Sequence, residues 1–188
     1  MNGYAWGDEL PTLSATGVRL RWLHDGDVPA LHSIFADPQV MRYWSSPPLE
    51  SLDAARELLA HIHANFRART LFQWGIARNE DDLVIGTTTL YHLDYQHGRG
   101  DIGYALGRAH WGNGHASDAV SRALRFAFDE LGLRRIEADA DPRNEASIRV
   151  LERQGFVREG NLRERYFMNG ELQDTAFYGL LKREWRGR

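Results

Sequence analysis

The sequence predicts one mixed α/β domain. Strand and helix signals alternate along the 188 residues without a linker or repeat. In the second half, two apolar strands are each followed by an amphipathic helix. A chain of this length holds one domain with a real core and is short for two.

"VRLRWL" (18–23) alternates apolar and basic residues and reads as the first strand. Asp27 is placed to cap a helix over "VPALHSIFA", with Pro29 tolerated in its first turn and Asp37-Pro38 ending it. "VMRYWSSPPLE" is an aromatic, proline-broken connection. A longer helix follows, with Leu52, Ala55, Leu59, Ile62 and Phe66 spaced as one face. "FQWGIAR" and "LVIGTTTLYHL" form a strand pair joined by the polar "NEDD", and "DIGYAL" is the fourth strand. After "HWGNGHASDA" (110–119) a helix runs to about Leu131. "RRIEADA" is the fifth strand, and "NEASIRVLERQ" a helix closed by Gly155. "FVREGNL" and "ELQDTAFYGLL" flank Asn169-Gly170, a pair suited to a type I′ hairpin turn. Residues 1–16 are expected to be a leader before a domain over 17–188, partly ordered by Tyr4 and Trp6. The leader is acidic and lacks the basic-then-apolar pattern of a signal peptide.

Composition removes several classes of function. A net charge of −3 carries no signature of a nucleic-acid binder. The absence of cysteine excludes disulfides, thiolate metal sites and cysteine nucleophiles, and fits a reducing cytoplasm. No apolar run approaches membrane-spanning length. Histidines are plentiful, but no HExxH occurs. His61 and His63, two apart on a helix, point in different directions, so no metal site is expected.

The glycine-rich stretch before the second-half helix has two physical readings. It is a tight βα turn, or a loop whose glycines let an anion approach the free N–H groups and positive dipole of the helix start. A Walker loop fails, because Asn113-Gly114 stand where Lys and Ser/Thr are needed. A dinucleotide unit stands as the alternative: Gly112 and Gly114 supply its first two glycines and Glu137 and Asp139 its acidic residue. However, Ser117 replaces the third glycine, and too little chain remains for the rest of that sheet.

"WGNGHA" (111–116) resembles the acetyl-CoA pyrophosphate loop of the GCN5-related N-acetyltransferases (GNAT), Gln/Arg-x-x-Gly-x-Gly/Ala. Gly114 and Ala116 fill its last two fixed positions, and Trp111 replaces the Gln or Arg. Independently, "RNEASIRVLERQGF" (143–156) is similar to the Asn-x-x-Ser…Gly-Phe segment of the branch that acetylates ribosomal-protein N-termini. "VRLRWLHDGDVPAL" and "YFMNGELQDTAFYGLL" resemble that branch's two edges, so the likeness covers nearly the whole chain from Val18.

The resemblance implies a mostly antiparallel mixed sheet, with a parallel fourth and fifth strand splayed apart and helices on both faces. It implies acetyl-CoA as co-substrate, no metal, an amine acceptor and a homodimer. Main-chain groups of Tyr104, Ala105 and Leu106 would bind pantetheine. Gly112, Asn113, Gly114, His115, Ala116 and Ser117 would hold the pyrophosphate. Asn144 would bond the cofactor from across the gap, or serve as a plain helix N-cap; both roles are compatible.

Acetyl transfer to an amine needs a neutral amine, a polarised thioester and a stabilised leaving thiolate. Glu137, Asp139 and Asp141 share one face of a regular fifth strand. Asp139, and Asp101 at the start of the fourth strand, are candidate bases or solvated strand-end carboxylates. Many relatives carry a proton-donating tyrosine where this chain has Leu151. Ser147, Tyr166 or water are the substitutes. Without that tyrosine, a non-catalytic acyl-CoA sensor is the reading from another class. By resemblance, Tyr43, Trp44, Tyr166 and Phe167 flank the cleft mouth, as an apolar slot or as core aromatics. The resemblance implies a protein N-terminal α-amine as acceptor. A small-molecule amine (amino acid, polyamine or antibiotic) is the alternative.

Overall fold

Tyr4 and Trp6 fold inward rather than trailing ahead of the first strand. In the computed structural model, which describes residues 4–168 and 170–187, Trp6 stacks on Phe72 with ring centroids 4.4 Å apart. Tyr4 meets Phe72 and Phe126 edge-on, and Leu10 and Leu13 are buried. The Trp74 indole donates to the Pro11 carbonyl at 3.0 Å. Leu10 and Leu13, at about 1.5–3 kcal/mol per fully buried side chain, together with the two half-buried rings fix the segment to the core.

The strands are β1 (Leu13–Ser14), β2 (Val18–Arg21), β3 (Phe72–Arg78), β4 (Val84–Asp94), β5 (Arg99–Leu106), β6 (Arg135–Ala140), β7 (Val157–Met168) and β8 (Glu171–Leu181). The helices are α1 (Val28–Phe35), α2 (Pro38–Met41), α3 (Leu52–Arg67), α4 (His115–Arg125) and α5 (Glu145–Gln154). The eight strands form one sheet in the order β1-β2-β3-β4-β5-β6-β8-β7. Every neighbouring pair is antiparallel except β5 and β6. The short β1 shifts the count, so the expected fourth and fifth strands are β5 and β6.

The parallel register joins Arg99 to Arg135, Gly100 to Ile136 and Asp101 to Glu137, and then stops. Beyond that point β5 stays paired with β4 out to Leu106, and β6 stays paired with β8 out to Ala140. The sheet therefore opens between these two strands alone. Ala119, Val120, Ala123 and Leu124 of α4 pack over Trp74, Leu90 and Ile102 on one face. Leu31 and Ile34 of α1, with Leu59 and Ile62 of α3, pack over Ala77, Val84 and Ala105 on the other.

Local details depart from the sequence reading for identifiable reasons. Asp27 does stand at the N-cap of α1, but its carboxylate makes no cap bond. It is taken by the Arg21 guanidinium, with two bonds of 2.8 Å, and by the His24 amide. Asp37-Pro38 does not merely end a helix. Asp37 Oδ1 accepts from the Gln39 amide at 2.8 Å and starts α2, inside the stretch expected to be irregular. The helix after the glycine loop does reach Leu131, finishing in a π turn over Phe126–Glu130 with Leu131 N bonded to Phe126 O. β7 is longer than expected and mostly exposed. Gly170 has φ +77°, while Asn169, the other half of the expected type I′ turn, lies outside the described residues. No helix among the described residues is long and apolar enough to cross a membrane.

Candidate active site

A cleft of about 550 Å³ lies at the splay, walled by the end of β5, the glycine loop, the start of α4 and the first turns of α5. Tyr104, Ala105, Leu106, Gly112, Gly114, His115, Ala116, Ser117 and Asn144 all line it. Asn113 does not; it is exposed, and its amide donates to the Trp111 carbonyl at 3.2 Å.

Two glycines make the loop's shape possible. Gly112 and Gly114 have φ of +80° and +83°, where a side chain is strained, and no atom lies within 4 Å of where a Cβ would stand. The bond from Asp118 N to Gly114 O, 3.1 Å, closes the first turn of α4. The amides of His115, Ala116 and Ser117 precede it, at the positive end of the helix dipole. Open space over glycine, beside free amides, fits a pyrophosphate without any basic side chain. Trp111 anchors the loop by donating its indole N–H to the Leu106 carbonyl at 2.6 Å. One of the main-chain groups expected to meet pantetheine therefore already has a partner within the protein. The His115 ring lies against Gly17, with Nδ1 buried and unpartnered.

Across the gap, Asn144 Oδ1 accepts from the Ser147 amide at 3.1 Å, so Asn144 is an N-cap as well as a cleft residue. Ser147 lines the same wall. The Tyr104 hydroxyl reaches it from β5, 2.8 Å from Ser147 Oγ and 3.0 Å from Ser147 O. Burial holds the Tyr104 phenol above its ordinary pKa, so it stays neutral. Leu151 is buried in the core at 1% exposure and offers nothing polar.

At the closed end of the splay β5 and β6 carry acid, outside the residues that line the cleft. Strand register sets Asp101 beside Tyr91 of β4 and beside Glu137 of β6. Burial raises the Tyr91 pKa, and the charges of Asp139 and Asp101 and the hydroxyl of Tyr166 raise it further. Three of the four expected catalytic residues, Asp101, Asp139 and Tyr166, thus lie close enough to one half-buried phenol, which sequence reasoning passed over, to raise its pKa. Burial also raises the Asp101 pKa, against a 2.8 Å hydrogen bond from His92 Nδ1. His92 sits at φ +47° in a break of the β4–β5 register, a kink no sequence signal announced. Glu137 is neutralised by Arg135 at 2.7 Å and Arg99 at 3.2 Å. Asp139 has no hydrogen-bond or ion-pair partner among the described residues.

At the mouth, Tyr43 and Trp44 line the cleft. Trp44 also packs edge-on against Phe35 at 5.5 Å, so the slot and core readings both hold for it. Arg143 gathers this region: it binds Asp141 at 2.7 Å, Glu171 of the hairpin at 2.7 Å, and lies 5.8 Å from the Tyr43 ring centre. Burial works against the Asp141 carboxylate, yet the Arg143 bonds hold its pKa below the usual range. Phe167 is 70% exposed and outside the cleft wall. Tyr166 lies under Arg165 and is likewise not part of that wall. Among the described residues, no three His, Asp or Glu side chains gather as metal ligands.

These features match known proteins in both sequence and shape. Residues 18–157 match the family model described as acetyltransferase (GNAT) domain. The chain belongs to the GNAT acetyltransferase family. It is 36% identical over 178 residues to the uncharacterised N-acetyltransferase p20 of Bacillus licheniformis, covering 95% of this chain and all of that one. The crystal structure of Vibrio cholerae spermidine N-acetyltransferase with CoA and spermine superposes with a TM-score of 0.80 at 27% identity, covering 89% of this chain and 97% of that one. Mycobacterium smegmatis RimJ shares the fold with a TM-score of 0.85 at 22% identity, covering 93% and 88%.

This GNAT protein is an acetyl-CoA-dependent N-acetyltransferase. Bound there, acetyl-CoA supplies a thioester already activated for attack by an amine. The glycine loop and the start of α4 would hold its phosphates and the unpaired edge of β5 would flank its arm, with Tyr104 and Ser147 also lining the cleft. The sensor reading, raised by Leu151, falls with the family assignment.

Proposed function

We propose that the protein transfers acetyl directly from acetyl-CoA to a primary amine, with a protein N-terminal α-amine as the preferred acceptor. The observation that carries this reading is the acidic side of the splay, where Asp101 neighbours Tyr91 and Glu137 and Asp139 is unpaired among the described residues. An amine arrives as a cation and must lose a proton before attack. An α-amine titrates near 7.7–8.0, against about 10.4 for lysine, so moderate carboxylate bases suffice. The N–H groups on the unpaired edge of β5 would polarise the thioester carbonyl. With no cysteine in the chain, transfer needs no covalent thioester on the protein. The same lack of cysteine suits a reducing cytoplasm.

A second reading, a polyamine acceptor, is favoured by the Asp139 carboxylate, which has no hydrogen-bond or ion-pair partner among the described residues, and by the Vibrio relative solved with spermine. CoA-SH release measured against peptide N-termini and against spermidine separates the two. The first reading expects kcat/KM at least about tenfold higher for the best peptide. The reverse order would transfer the assignment to polyamines, and no release with any amine would overturn both.

A further inference from the structure

Arg42, Arg143, Arg149 and Arg153 line the cleft, with Glu145 the one carboxylate among its described lining residues. Two of these cations are already matched. Arg149 donates to Glu145 at 3.1 Å, and Arg143 holds Asp141 and Glu171 at 2.7 Å each. Arg42 and Arg153 make no hydrogen bond or ion pair among the described residues. Arg153 belongs to the phosphate end. It lies about 12 Å along α5 from Glu145, next to Gln154, whose amide donates to Ser117 Oγ at 2.9 Å. Arg42 belongs to the mouth. Its guanidinium lies 5.2 Å from the centre of the Tyr43 ring, which Arg143 approaches to 5.8 Å. Val40 and Met41 before it are buried, and the Trp44 amide donates to the Met41 carbonyl at 3.0 Å. The backbone under Arg42 is thus fixed, while its side chain is exposed.

We propose that Arg42 selects the acceptor by pairing with a carboxylate on it, the side chain of an Asp or Glu at the second or third residue of the peptide whose N-terminal amine is acetylated. This rests on the N-terminal reading above. A guanidinium presents a planar fork that matches a carboxylate. The carboxylate of this chain that feels the Arg42 charge, Asp141, already has both oxygens bonded to Arg143. The acceptor's two charges also have separate places to go. β6 buries Ile136, Ala138 and Ala140 and turns Asp139 to its other face, past the last parallel pair of Asp101 and Glu137. Asp141, the group near Arg42, follows two residues on, about 7 Å of strand. An acceptor with its ammonium at Asp139 and an anion at Arg42 must span a separation of that order. A free amino acid carries both charges on one carbon and falls short. A polyamine brings only cations to a wall with an excess of arginine. An acidic peptide N-terminus satisfies both ends.

The test measures kcat/KM for peptides that differ only at the second and third residues: Asp-Asp, Ala-Ala or Lys-Lys. The enzymes are the wild type, Arg42→Ala, Arg42→Glu and Arg153→Ala. The wild type is expected to favour the Asp-Asp peptide over the Lys-Lys peptide at least about tenfold at low salt, and less as salt is added. Arg42→Ala brings that ratio to within about twofold of unity, Arg42→Glu reverses it, and Arg153→Ala keeps it. CoA affinity by calorimetry stays within about twofold of wild type in both Arg42 variants. A wild type indifferent to these residues would overturn the proposal, and so would a ratio that survives Arg42→Ala. The same collapse in Arg153→Ala would show a diffuse field rather than a contact at Arg42, and would also overturn it. So would a fall in CoA affinity equal to the fall in kcat/KM, which would put Arg42 on the cofactor. Free aspartate or glutamate acetylated faster than every peptide would overturn the choice of a peptide side chain. Spermidine acetylated in preference to every peptide would instead reject the N-terminal reading itself, and this proposal with it.

Discussion

The two sides of the splay are built from different materials. The cofactor side is mostly backbone: glycine positions with open space above them, the first amides of α4, and the unpaired edge of β5. The side proposed for the acceptor is side chains drawn from separate elements: Tyr91 and His92 of β4, Asp101 of β5, Glu137 and Asp139 of β6, and Tyr166 of β7. A backbone site is specified by where glycines and a helix start fall in the sequence. A side-chain site is specified by strand register and packing, which bring distant residues together. Binding of CoA and choice of amine should therefore be separable by mutation.

The largest effect is expected at the loop. Gly114→Val puts a β-branched residue at φ +83° and fills the space over the amides. CoA affinity by calorimetry should fall at least about a hundredfold, while the fold survives with a lowered Tm. Unchanged affinity would remove the loop from the site.

Next come the carboxylates. Asp139→Asn should lower kcat/KM for the amine about tenfold to a hundredfold and reshape the pH profile, with CoA binding intact. An unaltered profile would move the base elsewhere. Asp101→Asn carries a sign that can be checked separately. Because burial raises its folded pKa, the native state favours the protonated form. Its contribution to stability is full below the unfolded value, about 3.9, and is lost as pH rises through the raised one. Asp101→Asn should then leave Tm at pH 7 unchanged or higher, while the acidic limb of kcat/KM loses the ionisation that lay above the ordinary aspartate range. A clear fall in Tm would show that the His92 bond outweighs burial.

Arg143→Ala is expected to do less. It releases the hairpin contact at Glu171 and the Asp141 pair at the mouth, so KM for the amine should rise a few-fold with kcat nearly constant. A loss in CoA affinity instead would place Arg143 on the cofactor side.

The same contrast explains what could be read from the residues. The strand, the glycine loop, the helix and "NEASIRVLERQGF" are contiguous, and nearly every cofactor residue they implied lines the cleft. Asn113 misses it because, between two glycines with left-handed φ, its exposed side chain folds back onto the Trp111 carbonyl. Tyr91 was hidden because "LYHL" reads only as strand alternation. Its meaning comes from the β4–β5 register, which a lone chain does not display. Arg143 drew no expectation of its own, because its partners Glu171 and Tyr43 are far away in sequence, and Phe167, expected in an apolar slot or as a core aromatic, stands on a mostly exposed hairpin. Tyr4 and Trp6, expected to order part of the first residues, do so against Phe72 and Phe126, rings far away in sequence that the residues alone do not point to.

The most direct test of the two-sided site is to measure CoA affinity and amine kcat/KM together in the Asp101→Asn, Asp139→Asn double variant. The expected result is CoA affinity within about twofold of wild type and kcat/KM reduced by at least about a hundredfold. A parallel loss of both would show that the acidic residues support the cofactor side, and would contradict the division on which the account rests.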